Sequence, residues 1–234
     1  MGIAVIIGGA DIGHPHGEVI MSEIDKLVGE RENKKMVYIP TAHRDRPDEE
    51  QNVNTYWEKR GYSVTHLYLS DMGLSDEYIR KTILEADMIY TPGGNLKFLM
   101  DTWRKRNVVG LMHKAYENGT VLAGNSSGAM CWFHFGWDDC GIDGKHMFIE
   151  GVDLFPYCLC PHFQNEKWHK FTEHVSEQEY DGLGIDDSTA LVFNNGRVSV
   201  IKNDPKPENS AYIMRASNNY ELEDLGAIEG DFIL

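Results

Sequence analysis

Apolar positions along the chain repeat in two alternating rhythms. Residues Ile3–Ile7 form a short unbroken apolar run that stops at Gly8-Gly9, as a strand covered on both faces would. Across 18–30, Val19, Ile20, Ile24, Leu27 and Val28 recur at helical spacing. A second apolar run at 36–39 is closed by Pro40 and Thr41. The stretch 48–60 suits a helix stopped at Gly61, and 62–69 alternates as a strand does. Ser75 is placed to cap a helix reaching Ala86, with Glu77 in its first turn. Met88–Thr91 reads as a strand before the turn Pro92-Gly93-Gly94-Asn95. A helix over 108–118 ends at Gly119, and a strand over 120–123 enters Gly124.

This strand–helix alternation predicts an α/β fold, a mainly parallel sheet with helices on both faces. Ligands of such sheets bind beyond the carboxyl ends of the strands. The loops 8–13, 92–95 and 124–128 fall there. The last third reads differently. The runs 189–193 and 197–201 flank Asn194-Asn195-Gly196, the signature of a β-hairpin, and a further short strand is expected near 211–215. Neither a repeat nor a linker divides residues 1–234, so one domain is expected.

Charge and composition narrow the function classes. A formal net charge of −15 disfavours nucleic acid and anionic membrane surfaces as partners. No apolar run approaches the roughly 18–20 residues of a membrane span. The opening segment has no basic flank and reads as a first strand, not a signal peptide. The four cysteines, Cys131, Cys140, Cys158 and Cys160, then read as reduced thiols of a cytoplasmic protein. On a strand, Cys158 and Cys160 point to the same face, and buried structural thiols explain them better than zinc ligands. His14 and His16 flank Pro15 without an evident third ligand, so no metal is expected. The glycines at 8–13 miss the dinucleotide-binding frame, and no acidic residue follows the second strand to hold a ribose, so no cofactor is expected.

The strongest local chemistry lies in Gly124-Asn125-Ser126-Ser127-Gly128. It fits G-x-S-x-G in one frame only, with Ser126 at the centre. A serine on a tight strand-to-helix turn needs small flanking residues, and the following helix start offers free N–H groups. The preceding apolar run and a helix opening over 128–133 supply that context. A serine nucleophile needs a base. Of ten histidines, His162 stands out because Pro161-His162-Phe163 follows an apolar run and so lies at a strand end. The base needs an orienting carboxylate. Asp186 and Asp187 are candidates, with Asp138, Asp139 and Asp143 as rivals. The Ser–His–Asp order differs from the Ser–Asp–His order of α/β-hydrolases. The N–H of Ser127 and the turn at Gly93-Gly94 are candidate oxyanion donors.

Four pieces in this order resemble the dipeptidase E (aspartyl dipeptidase) family of serine peptidases, which is related to cyanophycinases. They are Gly93-Gly94-Asn95, the elbow at 124–128, Pro161-His162-Phe163 and Gly184-Ile185-Asp186-Asp187. The resemblance spans most of the chain. It implies a flavodoxin-like, class I glutamine amidotransferase-like sheet. It also implies Ser126 as nucleophile, His162 as base, Asp187 as its partner, and Gly94 and Ser127 as oxyanion donors. Relatives often carry glutamate where Asp187 stands, and an aspartate between nucleophile and histidine is the other candidate. The family cleaves dipeptides with N-terminal aspartate and holds the acidic side chain with basic groups. That places Asn95, Lys167 and Lys170 as substrate-binding candidates, with lysines where relatives tend to carry arginine. The expected partner is a short peptide substrate, and a homodimer stays open. A second reading keeps the same fold as a non-catalytic binder of small molecules or peptides.

Overall fold

The computed structural model describes residues 2–140, 145–166, 168, 170–203 and 208–234. Strand and helix alternate from β1 (Ile3–Ile7), α1 (Glu18–Val28), β2 (Lys34–Tyr38), α2 (Glu50–Glu58) and β3 (Tyr62–His66) to α3 (Asp76–Leu84) and β4 (Met88–Thr91). Two helices, α4 (Leu96–Lys105) and α5 (Val109–Glu117), then lead to β5 (Val121–Asn125). Local signals set most of these limits. Gly29, Gly61 and Gly119 adopt left-handed φ of 80°, 83° and 90°, which ends each helical stretch without strain. Ser75 Oγ accepts the Tyr78 N–H at 3.2 Å and starts α3.

The five strands lie parallel in the order β3-β2-β4-β5-β1. The alternation within each strand serves both faces. Ala4 and Ile6 of β1 join Val37, Ile89 and Leu122 in one core, with side chains of α3, α4 and α5. Val5 and Ile7 join Met36, Met88 and Ala123 in the other, with side chains of α1 and α2. The sheet is therefore doubly wound, as expected, and the carboxyl ends of β1, β5 and β4 lie side by side.

The second half departs from the simple hairpin extension. After the one-turn helix α6 (Ser127–Met130) come β6 (Phe133–Asp138), β7 (Met147–Glu150) and β8 (Phe155–Pro161). They are followed by α7 (Lys170–His174), β9 (Gly182–Ile185), β10 (Thr189–Asn194), β11 (Arg197–Lys202), β12 (Ala211–Met214) and β13 (Leu222–Asp224). The expected hairpin is present: β10 and β11 pair antiparallel and extend the first sheet beside β1. Its turn residues Asn195 and Gly196 have φ of 52° and 83°, the geometry that asparagine and glycine tolerate.

The other strands form a second, six-stranded sheet in the order β13-β12-β9-β8-β6-β7. The helix expected over 128–133 is thus a single turn, because the chain enters a strand at Phe133. Leu159, Leu183, Ile185 and Ile213 of the second sheet share a core with Ile6 and Leu122 of the first. On its far face, Cys158 and Cys160 pack with Trp137 and Phe171. Both thiols are buried and unpaired, and burial pushes Cys158 up to about 12 and Cys160 well above its ordinary range. They are packing residues, in line with the reading from their spacing. Among the described residues, no helix is long and apolar enough to cross a membrane.

Candidate active site

Ser126 sits where β5 turns into α6, with φ 54° and ψ −119°. A non-glycine residue in that region is strained by about 1–3 kcal/mol. The surroundings hold it there. The Ser126 N–H donates to the Ile7 carbonyl of β1 at 3.1 Å, and its own carbonyl accepts from Ala129 and Met130 in α6. The flanking glycines are required by close approach. A methyl group on Gly124 would collide with the Gly128 carbonyl, and one on Gly128 would collide with the carbonyls of Thr91 and Pro92. The turn from strand to helix is as tight as the five-residue pattern requires.

The second sheet delivers the other two groups. β8 and β9 are parallel neighbours, with Pro161 opposite Ile185, so the residues that follow each strand emerge together. His162 takes a left-handed φ of 52°, and its Nε2 lies 2.9 Å from Ser126 Oγ. Its Nδ1 lies 2.5 Å from Asp187 Oδ1. A carboxylate oxygen only accepts, so Nδ1 carries the proton and Nε2 is left to accept the Ser126 hydroxyl. His162 is 30% exposed and Asp187 41%, so the relay stands at the surface of the cleft.

Aspartate reaches the ring because Gly9, in the loop after β1, lends it room. Gly9 forms a parallel bridge with Asp187, and the Ser188 N–H donates to the Gly9 carbonyl at 2.7 Å. A side chain at Gly9 would collide with Asp187 Oδ1 and the His162 ring. Two of the rival carboxylates, Asp186 and Asp138, are engaged elsewhere. Asp186 is 3% exposed; its Oδ2 accepts from the Ser210 N–H and the Tyr212 hydroxyl, and burial raises its pKa. Asp138 accepts the Leu96 N–H at the start of α4. Asp143 lies outside the described residues.

The turn after β4 closes the other side. Gly93 approaches Ser126 so closely that a methyl group there would lie 3.0 Å from its Cβ. Gly94, at φ 142°, presses against the Ala42 carbonyl, which leaves no room for a side chain. Ser127 Oγ donates to the Gly94 carbonyl at 2.8 Å and ties this turn to the elbow. The Ser127 N–H belongs to the first turn of α6, where a helix offers no internal partner.

Three expected substrate contacts fare differently. Asn95 is a helix cap: its Oδ1 accepts the Phe98 N–H at 2.7 Å, and its Nδ2 donates to the Cys140 carbonyl at 2.5 Å. Both ends of its amide are thus engaged in structure, which asparagine just before a helical run could have signalled. Lys170 is exposed at the start of α7 and is not among the residues lining the cavity beside Ser126. Lys167 lies outside the described residues.

That cavity holds about 380 Å³ and is bounded by Ser126, His162, Gly93 and Gly94 on one side. Asp11, His14, Tyr38, His43, Glu49 and Tyr90 are among the other lining residues, and of these six only Asp11 lies in a loop that the sequence places at the carboxyl edge. Asn125 Oδ1 accepts the Ala10 N–H at 3.1 Å and fixes that loop to the elbow. Glu49 accepts the Tyr38 hydroxyl at 2.6 Å. Burial, reinforced by Glu49, holds Tyr38 well above the ordinary phenol range, and burial does the same for Tyr90. Both phenols are therefore neutral donors in the cavity wall.

A strained serine, a histidine and a carboxylate in line at the carboxyl edge of a doubly wound sheet form the arrangement of a serine-dependent hydrolase. The chain belongs to peptidase family S51, the dipeptidase E family, whose model matches residues 4–201. An uncharacterized peptidase of Bacillus subtilis (strain 168) is 29% identical over 171 residues, 72% of this chain and 73% of its own length. An uncharacterized peptidase of Pasteurella multocida (strain Pm70) is 24% identical over 183 residues, 72% of this chain and 86% of its own. A solved peptidase from an acI-B1 Actinobacterium superposes with a TM-score of 0.74 at 20% identity, covering 100% of this chain and 97% of that one. A putative peptidase E protein from Listeria monocytogenes EGD-e gives 0.65 at 18% identity, covering 87% of this chain and all of its own. At these identities the two structures establish likeness of fold.

Proposed function

We propose that the chain is a single-domain serine peptidase that hydrolyses short peptides, dipeptides foremost. The observation that carries this reading is the unbroken hydrogen-bonded line Ser126 Oγ, His162 Nε2, His162 Nδ1, Asp187 Oδ1. His162 Nε2 takes the Ser126 proton as Oγ attacks the peptide carbonyl. Asp187 accepts the Nδ1–H and stabilises the imidazolium that forms. The N–H groups of Gly94 and Ser127 face the oxyanion. His162 then returns the proton to the leaving amine, and the Ser126 ester remains. Water attacks that ester, giving its proton to His162 Nε2, and the acid is released as Ser126 regains its hydrogen. The cavity volume, at the lower end of ordinary ligand pockets, suits two residues better than a long chain.

The charges of the cavity bear on specificity. Asp11 and Glu49 line it, and among its described lining residues there is no lysine or arginine. A dipeptide brings an α-ammonium group that these carboxylates attract, whereas an aspartyl side chain meets like charge. Dipeptides with a neutral or basic first residue should therefore exceed Asp-X in kcat/KM by about tenfold, the effect of about 1.4 kcal/mol at a half-exposed charge. The experiment is a panel of Asp-X, Ala-X, Leu-X and Lys-X dipeptides, run with wild type and Ser126→Ala. Ser126-dependent hydrolysis supports the peptidase. Asp-X as the best substrate would overturn the specificity but not the chemistry. Absence of hydrolysis across the panel, with dipeptides still raising the melting temperature, would favour a binding protein.

A further inference from the structure

We propose that Gln164 is a positioning residue for the peptidase reaction, acting through Asp187; this rests on the Ser126–His162–Asp187 reading above. Gln164 is exposed and stands two residues beyond His162, a place where sequence alone gives a glutamine no role. The left-handed backbone at His162 turns the chain back, so that the Gln164 side chain meets the end of β9. Both ends of its amide then engage one residue. Gln164 Oε1 accepts the Asp187 N–H at 2.9 Å, and Gln164 Nε2 donates to Asp187 Oδ2.

The two bonds close a ring around the Asp187 side chain and fix its rotation. With Oδ2 held by Gln164, Oδ1 is the oxygen presented to His162 Nδ1. The backbone of the same residue is anchored independently, by Asn209 Nδ2 on the Asp187 carbonyl at 2.7 Å and by the neighbouring Ser188 N–H on Gly9. Backbone anchoring alone does not set the carboxylate torsion, and Asp187 is 41% exposed. The Gln164 amide adds a bond on the side chain itself. It also gives a short aspartate the fixed aim that a longer carboxylate would need to find by packing.

The amide polarity matters as much as its reach. A donor at Oδ2 leaves the negative charge of Asp187 intact for the imidazolium, whereas a carboxylate in that place would add a second negative charge. Gln164→Met keeps the length and removes both hydrogen bonds. It should lower kcat by about 10–100-fold, the usual effect of losing a group that orients a catalytic one, with KM changed less than about threefold. Gln164→Glu should move the acid limb of the kcat/KM profile to higher pH, because the added charge favours the imidazolium, which cannot act as base.

The decisive test is a double-mutant cycle of Gln164→Met with Asp187→Ala, read as kcat on the best dipeptide of the panel, with melting curves for each variant. Action through Asp187 predicts that Gln164→Met has little further effect once Asp187 is alanine. The same 10–100-fold loss in both backgrounds would mean a general structural role and overturn the proposal, as would unchanged kcat in the single variant. If Gln164→Met fails to fold, the pH profile of Gln164→Glu decides, and an unmoved acid limb counts against it. These outcomes are separate from failure of the peptidase reading itself, which would appear as full activity in Ser126→Ala.

Discussion

Replacing Ser126 with alanine should abolish dipeptide hydrolysis, by about 10⁶-fold in kcat, while the protein stays folded. The chemical step loses its nucleophile, and His162 Nε2 loses the hydroxyl that lies 2.9 Å from it. Among the described residues lining the cavity there is no other serine, threonine or cysteine to replace it. The neighbouring Ser127 hydroxyl donates to the Gly94 carbonyl and so holds the turn. Stability should change little, because the strain at Ser126 lies in its backbone at φ 54° and alanine meets the same strain as serine. The groups around the oxyanion remain, so a residual rate about 10³–10⁴-fold above water is expected on a favourable substrate. Steady-state assays at high enzyme concentration, beside thermal melts of both proteins, check both halves of this expectation.

Asp187→Asn carries the second large effect, for a reason that the local hydrogen bonds make specific. Gln164 Nε2 donates to the Oδ2 position, so the new amide should turn its oxygen there and its NH2 toward His162. A donor facing Nδ1 forces the proton onto Nε2, the wrong tautomer for accepting from Ser126. A buried aspartate lost in this way reduces kcat by about 10⁴-fold in a serine protease. Asp187 is 41% exposed, and water can partly take over, so a loss of about 10³-fold is expected here. KM should move little, because Asp187 meets the imidazole rather than the cavity that receives substrate. Activity that survives Asp187→Asn at the wild-type level would mean that His162 works as half of a dyad.

The features legible in the sequence are those fixed by neighbours along the chain. The elbow could be read because Gly124 and Gly128 are needed by backbone contacts that the turn itself creates. Ser75, Gly61 and Gly119 marked helix ends, and Asn195-Gly196 marked the hairpin, since each needs only a few residues to act. Unbroken apolar runs in β1, β2 and β4, separated by stretches of helical spacing, point to the doubly wound sheet because both faces are covered. The second sheet was hidden. Its strand β6 begins three residues after a one-turn helix, and its order depends on pairings between distant segments.

The same distinction divides the site. Resemblance and strand-end position pointed to His162 and resemblance to Asp187, while the residues alone left five aspartates open; the register of β8 against β9 is what sets His162 and Asp187 side by side. Asn95 carried the opposite lesson: its place in a glycine turn resembled a binding position, while the helix after it takes its oxygen and the Cys140 carbonyl takes its NH2. Gln164 gave no signal, because an exposed glutamine looks alike whether it faces water or a carboxylate. Glu49 and Tyr38 likewise converge on the cavity from separate elements.

In the proposed reaction Ser126 is the residue that becomes covalently bonded to substrate. Wild type and Ser126→Ala should be treated with a fluorophosphonate, followed by intact mass measurement and peptide mapping. One adduct per chain is expected, on the peptide containing Ser126, slowed by a competing dipeptide and absent from the alanine variant. Labelling of another residue at the same rate, or dipeptide hydrolysis by a protein that never acquires the adduct, would contradict it.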